Sequence, residues 1–426
     1  MAGAVTALAM WPFLGQPFSQ ARAAAPVMAD YALRDTLITF YEGQVRRAPA
    51  DQIQMRMLAA AYLQRFREQY DLSDVARAQA LARRSIVLQP QGNTAAQMTL
   101  ASALLTYHDF RQALVHERAA WQGEPWNSAT LAQMASLEME LGRYDVAHAY
   151  LQRIPPGGPE NPAVDSIRAR YDELTGYLDR ARARIADAIA TEDGSVGNPA
   201  YDRSWFHLRA AQLAFEAGDD AQARSECTVA LQDFPDSAQT LMLEARIDRA
   251  DGRWHEALDA ASKSAALYPL PQTLGYEADA QRALGETVAA AQSDALIDVE
   301  QRLFDAQGIN DRLLANYYAQ RHQHLDLALR AAQSDYRKRG DEIYADDTLG
   351  WVLAAMGRWS EARIFTERAV RLRTQDAELQ YHAAIVALHT GHAREAKQRL
   401  EAALGANPRF DPFEAADARS VLAALP

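Results

Sequence analysis

The chain has 426 residues, of which 49% are hydrophobic and only 8% aromatic. One compact hydrophobic core is not expected at that length, and abundant alanine with few aromatics favours closely packed helices over a sheet, so the expected fold class is all-α. A formal net charge of -12 opposes the phosphate backbone and argues against a nucleic-acid partner, while the single cysteine excludes an intramolecular disulfide.

Residues 1–25 hold an apolar run from Ala2 to Leu14, then Ala21-Arg22-Ala23 and Ala23-Ala24-Ala25, both of A-x-A form. They predict a signal peptide cut after Ala23 or Ala25, without the usual Lys or Arg ahead of the apolar run. Such a leader implies export, which in a bacterium means the periplasm; if it does not function, the chain stays cytoplasmic. No cysteine follows the run, which gives no support to a lipoprotein anchor. No other stretch offers the ~20 apolar residues of a membrane span, so the mature chain is expected to lack one. Asp30 opens a predicted N-terminal capping helix, residues 30–49, with Leu33, Leu37, Phe40, Tyr41 and Val45 at helical spacing and Pro49 as its stop. This helix is expected to shield the open end of whatever follows it.

Beyond Pro49 one spacing dominates. Alanine recurs at Ala78, Ala113, Ala147, Ala181, Ala223, Ala257, Ala290, Ala328, Ala362 and Ala396, mostly 34 residues apart. A small residue precedes each, at Ala59, Ala101, Ala135, Ala169, Ala211, Ala245, Ala278, Ala315, Gly350 and Ala384. Between the two markers stand turn glycines at Gly142, Gly176, Gly218, Gly252, Gly285, Gly357 and Gly391. Small residue, glycine, alanine describes two closely approaching helices joined by a turn that needs a left-handed residue. Prolines at Pro90, Pro125, Pro159, Pro235, Pro269 and Pro408 close second helices. Departures from the period predict a lengthened hairpin at residues 65–71, an irregular loop at residues 191–203, and a helix overrun ahead of residues 307–311. The organisation is thus N-terminal repeats over 50–190, the 191–203 loop, C-terminal repeats over 204–408, and a C-terminal capping helix over 409–426. That last helix is introduced by Asp411-Pro412 and carries Phe413, Val421 and Leu425 on its apolar face.

The clearest pair of units spans residues 343–408, where Gly350 matches Ala384, Gly357 matches Gly391, Ala362 matches Ala396 and Ala369 matches Ala403. With Leu349-Gly350, Ala362 and Ala369, this resembles the tetratricopeptide repeat (TPR), whose period is 34 and whose pattern is W-x₂-L-G-x₂-Y…A-x₃-F…P. The ending also looks like that of a group of exported bacterial TPR proteins. The resemblance implies a right-handed superhelix of about ten units with caps at both ends. It further implies a non-catalytic scaffold that holds a partner protein or peptide in a concave groove lined by the first helices. An accessory or assembly subunit of a cell-envelope biogenesis or secretion complex is the alternative.

Positions that face the groove in this family carry over to Arg170 and Glu173, to Trp205, Leu208, Gln212 and Phe215, and to Met242, Arg246 and Arg249. Later units supply Asp279 and Arg282, then Arg312 and Asn316, and finally Tyr344, Trp351 and Tyr381. The arginines would suit an acidic or C-terminal peptide, because guanidinium forks take carboxylates bidentately; the alternative is that they pair with neighbouring Glu and Asp. Arg312 with Asn316, followed by Thr348, has the spacing of the family's carboxylate clamp in part.

No cofactor or metal site is expected. His322 with His324, and His389 with His392, read as turn histidines. Trp254 and Trp359 read as packing residues, and Cys227 as a buried thiol. The chain has no G-x-S-x-G, H-E-x-x-H, P-loop or G-x-G-x-x-G. An enzyme built on this chain would have to draw on Tyr317, Tyr318, His322 and His324.

Overall fold

A computed structural model describes residues 30–155, 161–194, 198–306 and 312–425. The predicted leader, Pro159 and residues 307–311 lie outside these. Every regular element among the described residues is an α-helix, and no helix is long and apolar enough to cross a membrane.

A single helix, α1 (Asp30–Arg47), precedes a series of helical pairs. The first pairs are α2 (Gln52–Gln69) with α3 (Leu72–Leu88), α4 (Thr94–Thr106) with α5 (Phe110–Gly123), and α6 (Ser128–Glu140) with α7 (Tyr144–Gln152). Next come α8 (Pro162–Leu174) with α9 (Leu178–Asp193), α10 (Ala200–Glu216) with α11 (Asp220–Asp233), and α12 (Ala238–Ala250) with α13 (Trp254–Leu267). The series ends with α14 (Pro271–Ala283) and α15 (Thr287–Ala306), α16 (Arg312–Gln320) and α17 (Leu325–Arg339), α18 (Ile343–Ala355) and α19 (Trp359–Ala369), α20 (Ala377–His389) and α21 (Ala393–Ala406), then α22 (Glu414–Ala424) alone.

Local chemistry explains these boundaries. Asp51, Asp71, Asn127, Ser237 and Asp376 accept backbone N–H bonds at the helix starts, supplying partners that the first turn lacks. The alanine markers opening the second helices are all buried, as are the alanines of the first helices. Gly350 shows why they must be small: a Cβ there would stand 2.8 Å from Thr366 Cγ2 and 3.1 Å from the Thr366 nitrogen. At the turns, Gly142 and Gly357 have φ of 69° and 74°. Three units lack this glycine, and Tyr70, His108 and His322 take the same left-handed conformation, with φ of 60°, 56° and 51°. In those units the fold holds an L-residue where it is disfavoured, at about 1 kcal/mol each.

Three sequence expectations need correction. Residues 65–69 belong to α2, an 18-residue helix, so the extra length of the first unit lies in the helix and the turn is short. The predicted loop at 191–203 is mostly helical: α9 runs to Asp193 and α10 starts at Ala200. The inserted residues lengthen both helices, which keeps more backbone hydrogen-bonded than a loop would. In α1, Ile38 is buried, but Leu33, Leu37 and Phe40 are 53%, 40% and 52% exposed. The helix covers α2, and an apolar face of its own is left exposed by the described residues. The overrun ahead of residue 307 is present, since α15 continues to Ala306.

The stack then winds onto itself. Glu140 pairs with Arg339, Tyr144 Oη accepts the Ile343 N–H at 3.0 Å, and Gln375 Nε2 donates to the Gly176 carbonyl at 3.1 Å, each across 199 residues. That interval is about six units, so the seventh lands on the first of each set. The seam continues as Asn407 Nδ2 donates to the Phe215 carbonyl at 2.6 Å and Arg409 Nε to Asp220 at 2.8 Å. Tyr70 joins it by stacking on Tyr268 at 5.0 Å and accepting the Ala238 N–H at 3.1 Å. Gly142 sits in this seam, where a Cβ would lie 2.6 Å from the Glu342 nitrogen.

Candidate functional site

Winding places the first helices of successive units around one interior, and most of the predicted groove residues line it. Arg170, Gln212, Phe215, Arg249, Arg312, Asn316 and Tyr381 are buried; Arg246 and Trp351 are partly buried, and Arg282 is exposed. Apart from Arg282, these side chains are covered wholly or in part by other described residues rather than presented openly to a partner. The physical reason is the tight winding: the concave face closes when units six apart meet along the seam.

Enclosed arginines need carboxylates, because an unpaired charge in a low-dielectric interior costs several kcal/mol. Arg170 pairs with Glu173, and Arg209 donates to the same carboxylate at 2.8 Å. Arg249 bridges Asp279 at 2.9 Å and Asp411 at 2.8 Å, and Arg246 reaches Glu378 at 3.4 Å. The guanidinium groups also lie over aromatic rings: Arg170 and Arg312 over Tyr344, at 5.3 and 5.2 Å, and Arg246 over Phe215 at 4.9 Å. Burial opposes the charge on Arg249, but Asp411 and Asp279 outweigh it and raise its pKa. Glu216 is the opposite case, its carboxyl held well above the usual range by burial and by Glu173 and Asp376.

Arg312, the basic residue of the partial clamp expected from sequence, is engaged by the chain itself. Arg312 Nη1 donates to Glu342 Oε2 at 2.8 Å, and Glu342 also caps α18 by accepting the Ala345 N–H. A partner's terminal carboxylate would have to displace Glu342 from both bonds. Pairing within a single helix, the alternative weighed from sequence, accounts for Arg170 with Glu173 and for Arg282 with Asp279 at 3.2 Å. Arg282 also pairs with Asp294 inside its own unit, and the other pairs join different units, a relation that spacing alone does not reveal.

The histidine pairs fall where expected. His322 and His324 are exposed residues of one turn, and His389 stacks on Trp359 with centroids 3.8 Å apart. Cys227 is fully buried, and burial pushes its thiol pKa well up. The hydroxyls of Tyr317 and Tyr318 donate to Asp294 and Asp298, and burial raises both pKa values.

One constellation escaped the sequence reading. Glu378 and His382 on α20 and Glu414 on α22 bring potential ligand atoms within 4.8 Å of one another, all buried. His382 Nδ1 lies 2.9 Å from Asp347 Oδ2, and its Nε2 lies 3.4 Å from Glu414 Oε1. The signal available in sequence was the i, i+4 spacing of Glu378 and His382, which puts both on one helix face; Glu414 joins them only through the docking of α22.

A tetratricopeptide repeat family model matches residues 104–171. No curated protein sequence matches the chain. Among solved structures, the human IFIT1 dimer with m7Gppp-AAAA aligns with a TM-score of 0.52 at 14% identity, over 80% of this chain and 77% of that one. A tetratricopeptide repeat protein from Parabacteroides merdae aligns at 0.45 and 14% identity, over 59% of this chain and 95% of that one. Yeast Tom70 aligns at 0.39 and 12% identity, over 93% of each. The protein thus carries tetratricopeptide repeats at residues 104–171 and continues the same helical-repeat architecture on both sides of them.

Proposed function

We propose that this chain is a non-catalytic protein-interaction scaffold, and that its partner docks on the N-terminal edge of the stack. The observation that carries this reading is the row Leu33, Leu37 and Phe40 on α1, exposed at i, i+4 and i+7, with Ile53 and Met57 of α2 also exposed at the same end of the stack. Contiguous exposed apolar surface marks interaction sites. In a helical stack each unit presents such an edge to the unit before it. The occupant that fits is therefore an amphipathic helix or helical pair supplied by another protein, recognised through apolar anchors one turn apart. An acidic peptide fits less well, since the interior arginines already hold carboxylates of this chain. Nucleic acid stays outside the proposed partners because the net charge of -12 opposes phosphate.

The non-catalytic reading is supported by the repeat architecture, which builds extended binding surfaces. Export to the periplasm, and with it a place in an envelope biogenesis or secretion complex, rests on residues 1–25; an uncovered apolar edge suits such an assembly subunit.

Photo-crosslinking in cells tests the docking edge. A crosslinking residue at position 37 should capture a distinct protein, lost in a Phe40→Asp background, whereas the same residue at exposed position 401 should not. Equal capture from both positions, or crosslinks from position 37 only into residues 1–29 of the same chain, would overturn this reading.

A further inference from the structure

The cluster of Glu378, His382 and Glu414 has features that ion pairing alone does not explain. Glu414 Oε2 is buried without a hydrogen-bond partner, an arrangement that costs about 1–3 kcal/mol for a polar atom and more for a charged one. The contact from His382 Nε2 to Glu414 Oε1, at 3.4 Å, is longer than the 2.7–2.9 Å of charge-assisted hydrogen bonds. It matches the roughly 3.4 Å between two donors on a tetrahedral ion with bonds of about 2.0–2.1 Å. On the far side of the ring, the Asp347 carboxylate receives Nδ1–H. That is the outer carboxylate that fixes the tautomer of a metal-ligating histidine and leaves Nε2 free to coordinate.

Charge points the same way. Asp347, Glu378 and Glu414 bring three negative charges into a buried site, and Arg246, 3.4 Å from Glu378, supplies one positive charge. Without an ion, Asp347 and Glu414 favour the protonated ring, which offsets one of the two remaining charges; a divalent ion that displaces the Nε2 proton leaves the imidazole neutral and balances both. Orientation is also provided: Gln320 Nε2 donates to Glu414 Oε1 at 3.0 Å, and Trp351 stacks on the His382 ring with centroids 4.0 Å apart.

The geometry points to a divalent transition-metal site in the superhelix interior, with Glu378, His382 and Glu414 as ligands and Asp347 as the carboxylate that positions His382. One nitrogen and two carboxylate oxygens of this kind suit Zn²⁺. The ion would tie α22 to α20 across the C-terminal end of the stack, where Ala415 and Ala418 pack in the same cluster as Tyr381 and Ala384. With three protein ligands, a water would complete the four-coordinate ion. This inference is independent of the partner-docking edge at α1.

The test uses the full chain, stripped with chelator, dialysed and titrated separately with Zn²⁺ and with Co²⁺. The expected result is one ion per chain, with the visible absorption of four-coordinate Co²⁺. Glu378→Gln and Glu414→Gln should each weaken binding at least about 100-fold, and Asp347→Asn about 10–100-fold, while His322→Gln leaves it unchanged. Circular dichroism establishes that each variant retains its helix content. Should a variant fail to fold, X-ray absorption on the Zn²⁺-loaded wild type decides: one imidazole with oxygen ligands supports the site, and two or more imidazoles overturn it. A folded wild type that binds no ion, or a folded Glu378→Gln that binds as the wild type does, also overturns it.

Discussion

The superhelix interior and its N-terminal edge invert the usual distribution of polarity. Arg170, Arg249 and Arg312 are charged and buried, whereas Leu33, Leu37 and Phe40 are apolar and exposed. Both follow from stacking. A unit's environment depends on which other units touch it, and the interior is touched across the seam as well as along the chain, while the first helix has no described unit before it. A charged first-helix residue is thus no marker of an accessible groove, and an apolar helix is no guarantee of burial.

Breaking the interior should have the largest effect. Arg249→Glu places a third carboxylate beside Asp279 and Asp411 and should destabilise the fold by about 3–5 kcal/mol, read as a lowered denaturant midpoint. An unshifted midpoint would mean that the interior is open to water and that the groove reading stands. Ala362→Leu tests unit packing rather than closure. Ala362 is fully buried, and overpacking there should cost about 1–3 kcal/mol.

Glu117 probes how dry the packed regions are. It is buried, Oε2 lacks a partner, and burial holds its carboxyl pKa well above the ordinary value. Its folded-state pKa exceeds the unfolded one, so its contribution is intact below the ordinary carboxylate range and is lost as pH rises through the raised value. Glu117→Gln should therefore match the wild type near pH 4 and be more stable at pH 8; equal midpoints at pH 8 would mean the carboxyl is hydrated. At the exposed turn of His322, replacement by glycine relieves an unfavourable φ and should add up to about 1 kcal/mol. Leu37→Asp with Phe40→Asp should change stability least, within about 0.5 kcal/mol, while abolishing partner capture. A large loss of stability would show that the edge is covered by the chain itself.

The repeat was legible because it rests on short-range geometry. Ala59, Ala101 and their successors must be small wherever two helices cross closely, so the period shows through any surrounding sequence. The left-handed backbone of Tyr70, His108 and His322 was not foreseen because glycine is the usual mark of such a position, and here the flanking helices impose that conformation instead. Residues 65–69 and 191–193 were read as hairpin and loop because a departure from the period says that residues were inserted, not whether they continue a helix. The candidate groove residues were correctly placed on first helices; their burial was not legible, since it depends on contacts 199 residues away.

Sequence by itself determined the secondary structure class, the helix-turn-helix unit, and which face of each unit packs on its neighbour, because those depend on residues within one period. Tertiary structure alone decided how tightly the units wind. That winding is a small rotation summed over about six units, too small in any one of them to leave a pattern, and it settles whether Arg312 meets Glu342 or a partner and whether Glu414 reaches His382.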